Sequence, residues 1–166
     1  QEAQAKWPSL KADFPDAKLH LIGSLQSNKV EDAASLFDVI ETLDREKLAK
    51  TLAALKKKGL ALPELLIQVN TGEEDQKGGI APREAAGFAS YCLQDLSLPV
   101  TGLMAIPPAE DAPAPHFALL HKLAGETGLT RLSMGMSGDY EIATQLGATD
   151  VRVGSAIFGP RRPKSG

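Results

Sequence analysis

The feature that most constrains the fold of this chain is a regular alternation of short apolar runs with amphipathic stretches. The apolar runs are bounded by Gly, Pro or Asn, which is typical of buried parallel strands. The predicted strands are residues 18–22, 37–41, 65–70, 100–104, 131–134 and 150–153. Because strands that alternate with helices lie parallel and need helical crossovers, the pattern predicts an open doubly wound sheet or a closed barrel.

The stretches between the strands carry apolar residues at helical spacing. Leu48, Leu52 and Leu55 fall at i, i+4 and i+7 and predict one buried helix face. Three more faces are predicted from Ala85, Phe88, Ala89, Cys92 and Leu96, from Phe117, Leu120 and Ala124, and from Ile142, Ala143 and Leu146. Gly147 follows the last face and is a typical C-terminal stop for a helix.

Length and charge narrow the class of protein. The 166 residues suit one domain, 1–166, with a sizeable core. A net charge of −3 argues against non-specific binding to nucleic acid and removes attraction to anionic membranes. No apolar stretch approaches the roughly 20 residues of a membrane span, and from the polar residues at its start we expect no signal peptide. Cys92 is the only cysteine, and we predict a core thiol there. These features predict a cytoplasmic protein.

The choice between sheet and barrel depends on motifs and on the number of units. The chain has no dinucleotide glycine fingerprint after its first strand and no Walker-type phosphate loop. About six βα units can be counted, whereas a complete barrel has roughly eight. The chain does not begin with Met, and residues 1–7 resemble the end of a helix already under way. We therefore expect a piece of a longer barrel.

Two loops after the last two predicted strands have the composition of an anion site. Ser137 is predicted to stand just before a helix, where its hydroxyl and free backbone N–H groups can meet an anion. Gly135 and Gly138 would let the backbone approach closely. Gly154 and Ser155 repeat this chemistry after the final strand, where barrels often bind phosphate. The alternative is that Ser137 only caps a helix and that the glycines only make turns.

Two polar side chains lie inside otherwise apolar strands. Arg152 must find an acceptor there, because a buried unpaired charge is very costly. It either forms a structural ion pair with a carboxylate on a neighbouring strand or donates to a ligand at the barrel mouth. His20 is either a satisfied core residue or part of the same site. His116 and His121 are too far apart on a helix surface to form a metal pair.

Four segments on four separate loops resemble the pyridoxal phosphate homeostasis protein family, whose members are single-domain relatives of the N-terminal barrel of alanine racemase. They are His-Leu-Ile-Gly-Ser-Leu-Gln-Ser-Asn-Lys at 20–29, Gly-Leu-Met-Ala-Ile-Pro at 102–107, Leu-Ser-Met-Gly-Met-Ser at 132–137 and Val-Arg-Val-Gly-Ser-Ala-Ile-Phe-Gly at 151–159. The resemblance implies a (β/α)8 TIM-type barrel of the alanine racemase N-terminal type, with the first one or two βα units missing from this chain. It also implies pyridoxal 5′-phosphate (PLP) as the cofactor.

The resemblance also implies roles for individual residues. Ser137 and the turn at Gly154 and Ser155 correspond to the phosphate cradle, and Ser155 stands where the family usually has Thr. Arg152 corresponds to the arginine that faces the pyridine nitrogen. Ser133 and His20 lie in two of the motifs and are expected to line the cofactor.

The family binds PLP as a Schiff base to a lysine at the end of its first strand, and no segment of this chain matches that lysine. Lys29 and Lys77 belong to other family motifs and are not candidates for it. We therefore expect the Schiff-base lysine upstream of Gln1, no catalytic residue within the chain, and no metal site.

The resemblance implies a cofactor-binding protein of PLP homeostasis and of amino-acid and keto-acid balance, with no established catalytic turnover. Its expected partners are PLP and PLP-dependent enzymes, with neither nucleic acid nor membrane, and its expected state is a monomer or a weak dimer. One alternative is an alanine racemase-like amino-acid racemase on the same fold. Another is a phosphate-binding barrel without a cofactor.

Overall fold

The computed structural model describes residues 2–160. Six parallel strands form one sheet in chain order, and the sheet curves into a half-barrel. They are β1 (His20–Leu21), β2 (Val39–Leu43), β3 (Glu64–Gln68), β4 (Val100–Met104), β5 (Arg131–Met136) and β6 (Asp150–Arg152). All six predicted strands and their parallel direction are confirmed, although β1 is shorter than predicted, β2 begins and ends two residues later, and β5 ends two residues later.

The helices between β1 and β6 connect the strands and cover the outer face of the sheet, and one further helix lies before β1 and one after β6. They are α1 (Glu2–Asp13), α2 (Val30–Leu36), α3 (Glu46–Lys57), α4 (Ala85–Ser90), α5 (Pro113–Thr127), α6 (Tyr140–Gln145) and α7 (Ser155–Phe158). Short 3-10 turns at Ser27–Lys29 and Pro82–Glu84 lead into α2 and α4, and α4 continues as a π-helical segment, Tyr91–Asp95. No helix among residues 2–160 is both long and apolar enough to cross a membrane.

The main core lies between the sheet and the helices, where the predicted helix faces are buried. Leu48, Leu52, Phe117 and Leu120 are fully buried there. Cys92 is also buried, as predicted, and burial raises the pKa of its thiol to about 12. A thiol held in this protonated form is a core residue and not a nucleophile.

The face predicted for α6 is only partly confirmed. Ala143 is buried, but Ile142 is 37% exposed, because α6 is short and only one side of it reaches the sheet. Gly147 does follow the end of α6, and its φ of +94° is the left-handed conformation expected of a C-terminal stop.

A second, smaller apolar layer fills the inside of the curved sheet. Val39, Leu66 and Met104 are fully buried in it, and Ile106 packs against them. Since side chains alternate across a strand, the residues two positions away on each strand also face this interior. On β2 and β3 these positions include Glu41 and Glu64, so charged side chains lie above and below the apolar layer.

Below the layer, at the amino ends of the strands, Arg131 joins two carboxylates. Its guanidinium donates to Asp150 at 2.9 and 2.6 Å and to Glu64 at 2.7 Å. The hydrogen bond from Arg131 is the main reason why the pKa of Asp150 lies below its ordinary value. This cluster ties β3, β5 and β6 together at the end of the barrel that is usually structural.

We expect this cluster to make the fold acid-sensitive. A carboxylate whose pKa is lower in the folded state than in the unfolded state stabilises the fold. The stabilisation is complete above the unfolded-state pKa of about 3.9, and it is lost as the pH falls through the folded-state pKa. Urea unfolding between about pH 5 and pH 2 should show this loss in the parent. In both Asp150→Asn and Arg131→Met, the free energy of unfolding should change less with pH than in the parent. The same pH dependence in both variants would show that this cluster is not the source of the acid sensitivity.

Candidate functional site

Above the inner apolar layer, four polar side chains from four strands meet. His20 of β1, Glu41 of β2, Ser133 of β5 and Arg152 of β6 all point into the barrel. Glu41 is only 2% exposed, and Ser133 is fully buried. The carboxyl ends of parallel strands are where such folds bind ligands, so this cluster lies at the end of the barrel that is expected to be functional.

Arg152 is held by three contacts. Its Nη1 donates to the Ser133 hydroxyl at 2.6 Å and its Nη2 to the carbonyl oxygen of Ala105 at 2.8 Å. Nη1 also lies 3.9 Å from the Glu41 carboxylate. Burial lowers the pKa of Arg152, and the charge of Glu41 opposes that change. A guanidinium retains its proton in proteins, so the interior of this barrel carries a fixed positive charge.

These contacts decide part of the question that the sequence left open for Arg152. It does pair with a carboxylate, but Glu41 lies on β2 across the barrel and not on the neighbouring strand β5. Sequence reasoning did not select Glu41 as a site residue. The signal was present, because Glu41 is a charged residue within the apolar run of β2.

His20 is tied to the same carboxylate. Its Nδ1 lies 2.7 Å from Glu41 Oε1, and the Ser133 hydroxyl donates to Glu41 Oε2 at 2.5 Å. The three predicted residues His20, Ser133 and Arg152 are therefore brought together, and Glu41 is the residue that joins them.

Ser137 does not stand directly before a helix, contrary to our prediction. Helix α6 begins at Tyr140, and Asp139 occupies its N-cap position. The Ser137 hydroxyl instead accepts hydrogen bonds from the backbone N–H groups of Gly154 at 3.1 Å and Ala156 at 3.2 Å. The two predicted anion loops do meet, but through this cross-loop contact.

The glycines of these loops differ in their surroundings. A Cβ added at Gly135 would lie 2.6 Å from the Ala143 side chain, so Gly135 serves close packing against α6 and not the approach of an anion. A Cβ at Gly138 or Gly154 would meet no atom within 4 Å. Open space therefore lies beside these two glycines, and Ser155 next to Gly154 is exposed.

A cleft of about 420 Å³ opens beside this cluster, between β1 and β6. It is lined by His20, Ile22, Glu41, Asp150, Val151, Arg152, Val153 and Gly154. Lys29 lines a different groove, between α1 and α2, and Lys77 forms an ion pair with Glu74 at 2.6 Å. Neither lysine lines the cleft.

The sheet is a parallel half-barrel with a buried arginine on β6, and hydroxyl and glycine residues lie at its carboxyl end. This arrangement defines a ligand-binding α/β barrel. The family model for alanine racemase, N-terminal domain, matches residues 1–162. A pyridoxal phosphate homeostasis protein of Aquifex aeolicus is 39% identical, over 98% of this chain and 74% of its own length. One of Pseudomonas aeruginosa is 42% identical, over 97% of this chain and 71% of its own length.

A solved structure agrees with these sequence matches. PipY of Synechococcus elongatus PCC7942, solved without PLP, superposes with a TM-score of 0.87 at 36% identity, over 96% of this chain and 78% of its own. The structure of PipY with PLP bound gives a TM-score of 0.81 at 34% identity over the same shares. The chain therefore belongs to the family of alanine racemase N-terminal domains, and within it to the pyridoxal phosphate homeostasis proteins.

Proposed function

We propose that this chain binds PLP at the mouth of the barrel, on the carboxyl-end side of the cleft between β1 and β6, and acts in PLP homeostasis and in amino-acid and keto-acid balance. The names of its relatives and the PLP-bound structure of PipY support this proposal. The observation that carries it is the contact between the two loops, in which the Ser137 hydroxyl meets the backbone of Gly154, two residues after Arg152.

The residues present fit the parts of PLP. The phosphate would be held by Ser137, Gly154 and Ser155, where open space, hydroxyls and backbone N–H groups coincide. The ring would lie against Arg152, whose position is fixed by Ser133 and by Ala105. His20 would line the other side of the cleft.

Arg152 also suits binding without rapid turnover. Bound PLP supplies an electron sink that works best when its ring nitrogen is protonated. A guanidinium has only donors and cannot accept a proton from the ring, so Arg152 would keep that nitrogen unprotonated and orient it. The alternative function, an amino-acid racemase, requires turnover that a racemisation assay on the intact protein would detect.

The proposal extends to the rest of the barrel. We infer that residues 1–166 are part of one domain and that one or two further βα units close the barrel between β6 and β1 in the intact protein. The sheet order supports this, because β1 and β6 are its two edges among the described strands. We also propose a cytoplasmic protein that is a monomer or a weak dimer and exchanges PLP with PLP-dependent enzymes.

Substituting Ser137 by alanine tests the proposed phosphate site. In the intact protein, Ser137→Ala should weaken PLP binding by roughly 1–3 kcal/mol, the usual loss for a hydrogen bond to a charged group. The measurement is an absorbance titration with PLP. Ser35→Ala is the matched control, because Ser35 lies on the surface of α2 and bonds only its own helix at Glu31.

Two related ligands make this test specific. Pyridoxal lacks the phosphate, so its affinity should be the same for Ser137→Ala and the parent. Inorganic phosphate should compete with PLP. If it binds as tightly as PLP, the site is that of a phosphate-binding barrel without a cofactor. Unchanged PLP affinity in Ser137→Ala would contradict the proposed phosphate site.

A further inference from the structure

The Glu41 carboxylate has no part in the proposed contacts with PLP, yet it touches His20 and Arg152, which do, and Ser133, which positions Arg152. It lies 2.7 Å from His20 Nδ1, accepts from Ser133 at 2.5 Å and lies 3.9 Å from Arg152 Nη1. These partners come from β1, β5 and β6, and Glu41 itself comes from β2. One buried side chain thus joins four strands at the proposed site.

The chemistry of the groups fixes the direction of each hydrogen bond. Arginine only donates, so the Ser133 oxygen accepts from Arg152 and its own proton points to Glu41. An ionised carboxylate only accepts, so the shared proton between Glu41 and His20 lies on Nδ1. In the neutral ring of His20, Nε2 then carries a lone pair.

We propose that Glu41 is a positioning residue for the ligand site. Through Ser133, it holds the Arg152 guanidinium in one orientation. Directly, it holds His20 in the Nδ1–H form, so that Nε2 offers a hydrogen-bond acceptor to a donor group of the ligand in the cleft. The part concerning Arg152 and PLP rests on the proposed function, whereas the arrangement of the side chains does not.

The burial of this network favours a geometric role over a stabilising one. Glu41 is 2% exposed and the Arg152 side chain 9% exposed. Removing two charges from water costs about as much as their attraction returns, so such a pair contributes little net stability. What the pair does supply is a fixed direction for every donor and acceptor, as binding sites require.

The arrangement can be tested without ligand by 15N NMR of the histidine ring and the arginine side chain. The parent should show His20 protonated at Nδ1 when the ring is neutral. In Glu41→Gln, the amide has one acceptor and one donor end. If its oxygen faces Ser133, its NH2 faces His20 and the ring must change to the Nε2–H form. If the amide is reversed, its NH2 faces the Ser133 oxygen and the Arg152 Nη signals shift.

We therefore expect at least one of these two signals to change in Glu41→Gln. Glu126→Gln is the matched control, because Glu126 is exposed on α5 and pairs with Lys122 at 3.7 Å. It should change neither signal. An Nε2–H ring in the parent, or unchanged signals of both residues in Glu41→Gln, would overturn the proposal.

Ligand affinity tests whether Glu41 acts through Arg152. In the intact protein, Glu41→Gln should weaken PLP binding about tenfold or more, the effect of a disturbed hydrogen bond to a charged group. In an Arg152→Met background, the part of this loss that acts through Arg152 should disappear, so the same substitution should weaken PLP binding clearly less. If the full loss persists in that background, Glu41 does not act through Arg152, and that part of the proposal fails.

A second variant covers the case in which Glu41→Gln does not fold. Ser133→Ala keeps both charges and removes only the hydroxyl between them, so it should weaken PLP binding in the same way and again only when Arg152 is present. Its failure to do so would count against the proposal. A parent protein that binds no PLP would instead overturn the proposed function, while the NMR comparison would still decide the role of Glu41.

Discussion

Replacing Gly102 with alanine is expected to destabilise the fold by about 3 kcal/mol or more, the range of severe overpacking. A Cβ at Gly102 would lie 2.2 Å from the backbone oxygen of Arg131 and 2.6 Å from its Cβ. Gly102 on β4 pairs with Arg131 on β5. Backbone atoms of a paired strand cannot move aside as a flexible side chain can, so the two strands would have to separate.

The matched control is Gly125→Ala. Gly125 lies within α5, and a Cβ there would meet no atom within 4 Å. Alanine reduces the freedom of the unfolded chain and favours the helix, so this variant should gain about 0.4–1 kcal/mol. Urea unfolding of the two variants beside the parent makes the comparison. Similar changes in the free energy of unfolding at the two positions would show that β4 and β5 lie further apart at Gly102 than the structure shows.

Replacing Arg152 with methionine is expected to cost about 3–5 kcal/mol of stability, as the loss of one partner of a buried ion pair does. Methionine fills similar space, but it leaves the buried Glu41 carboxylate without its positive neighbour and the carbonyl of Ala105 without a donor. The same variant should bind PLP more weakly under the proposed function. Urea unfolding measures the first effect, and an absorbance titration measures the second.

A double-mutant cycle with Glu41→Gln separates the pair from the remaining contacts of Arg152. The double variant should be more stable than the sum of the two single losses predicts, because it leaves no unpaired buried charge. Strictly additive losses, or a loss below about 1 kcal/mol for Arg152→Met, would mean that the two charges are not coupled.

The sequence predicted the strands, their parallel direction and most of the helix faces. The reason is physical: burial on both sides of a parallel strand demands a continuous apolar run, and burial on one side of a helix demands a regular spacing. Such signals are local and strong, as at Leu48, Leu52 and Phe117. The prediction was least accurate at Ile142, where α6 is too short for its spacing to decide which side faces the sheet.

The site residues also divide into those that the sequence could predict and those that it could not. Arg152, Ser137 and Gly154 could be selected because arginine in an apolar strand and serine or glycine at a strand end are unusual in themselves. The role of Glu41 could not be predicted, because it depends on the curvature of the sheet, which brings β2 opposite β6. No pattern within β2 specifies that distance.

The sequence by itself thus determined the alternation of elements, the core of the helical layer and the chemical types of residue at the barrel mouth. Only the tertiary structure decided which of those residues meet. Ser137 receives its hydrogen bonds from Gly154 and Ala156, 17 and 19 residues further along the chain. Glu41 and Ser133 are 92 residues apart in sequence and 2.5 Å apart in space. Contacts over such separations arise from the packing of the whole sheet, since local sequence sets only the direction of each side chain.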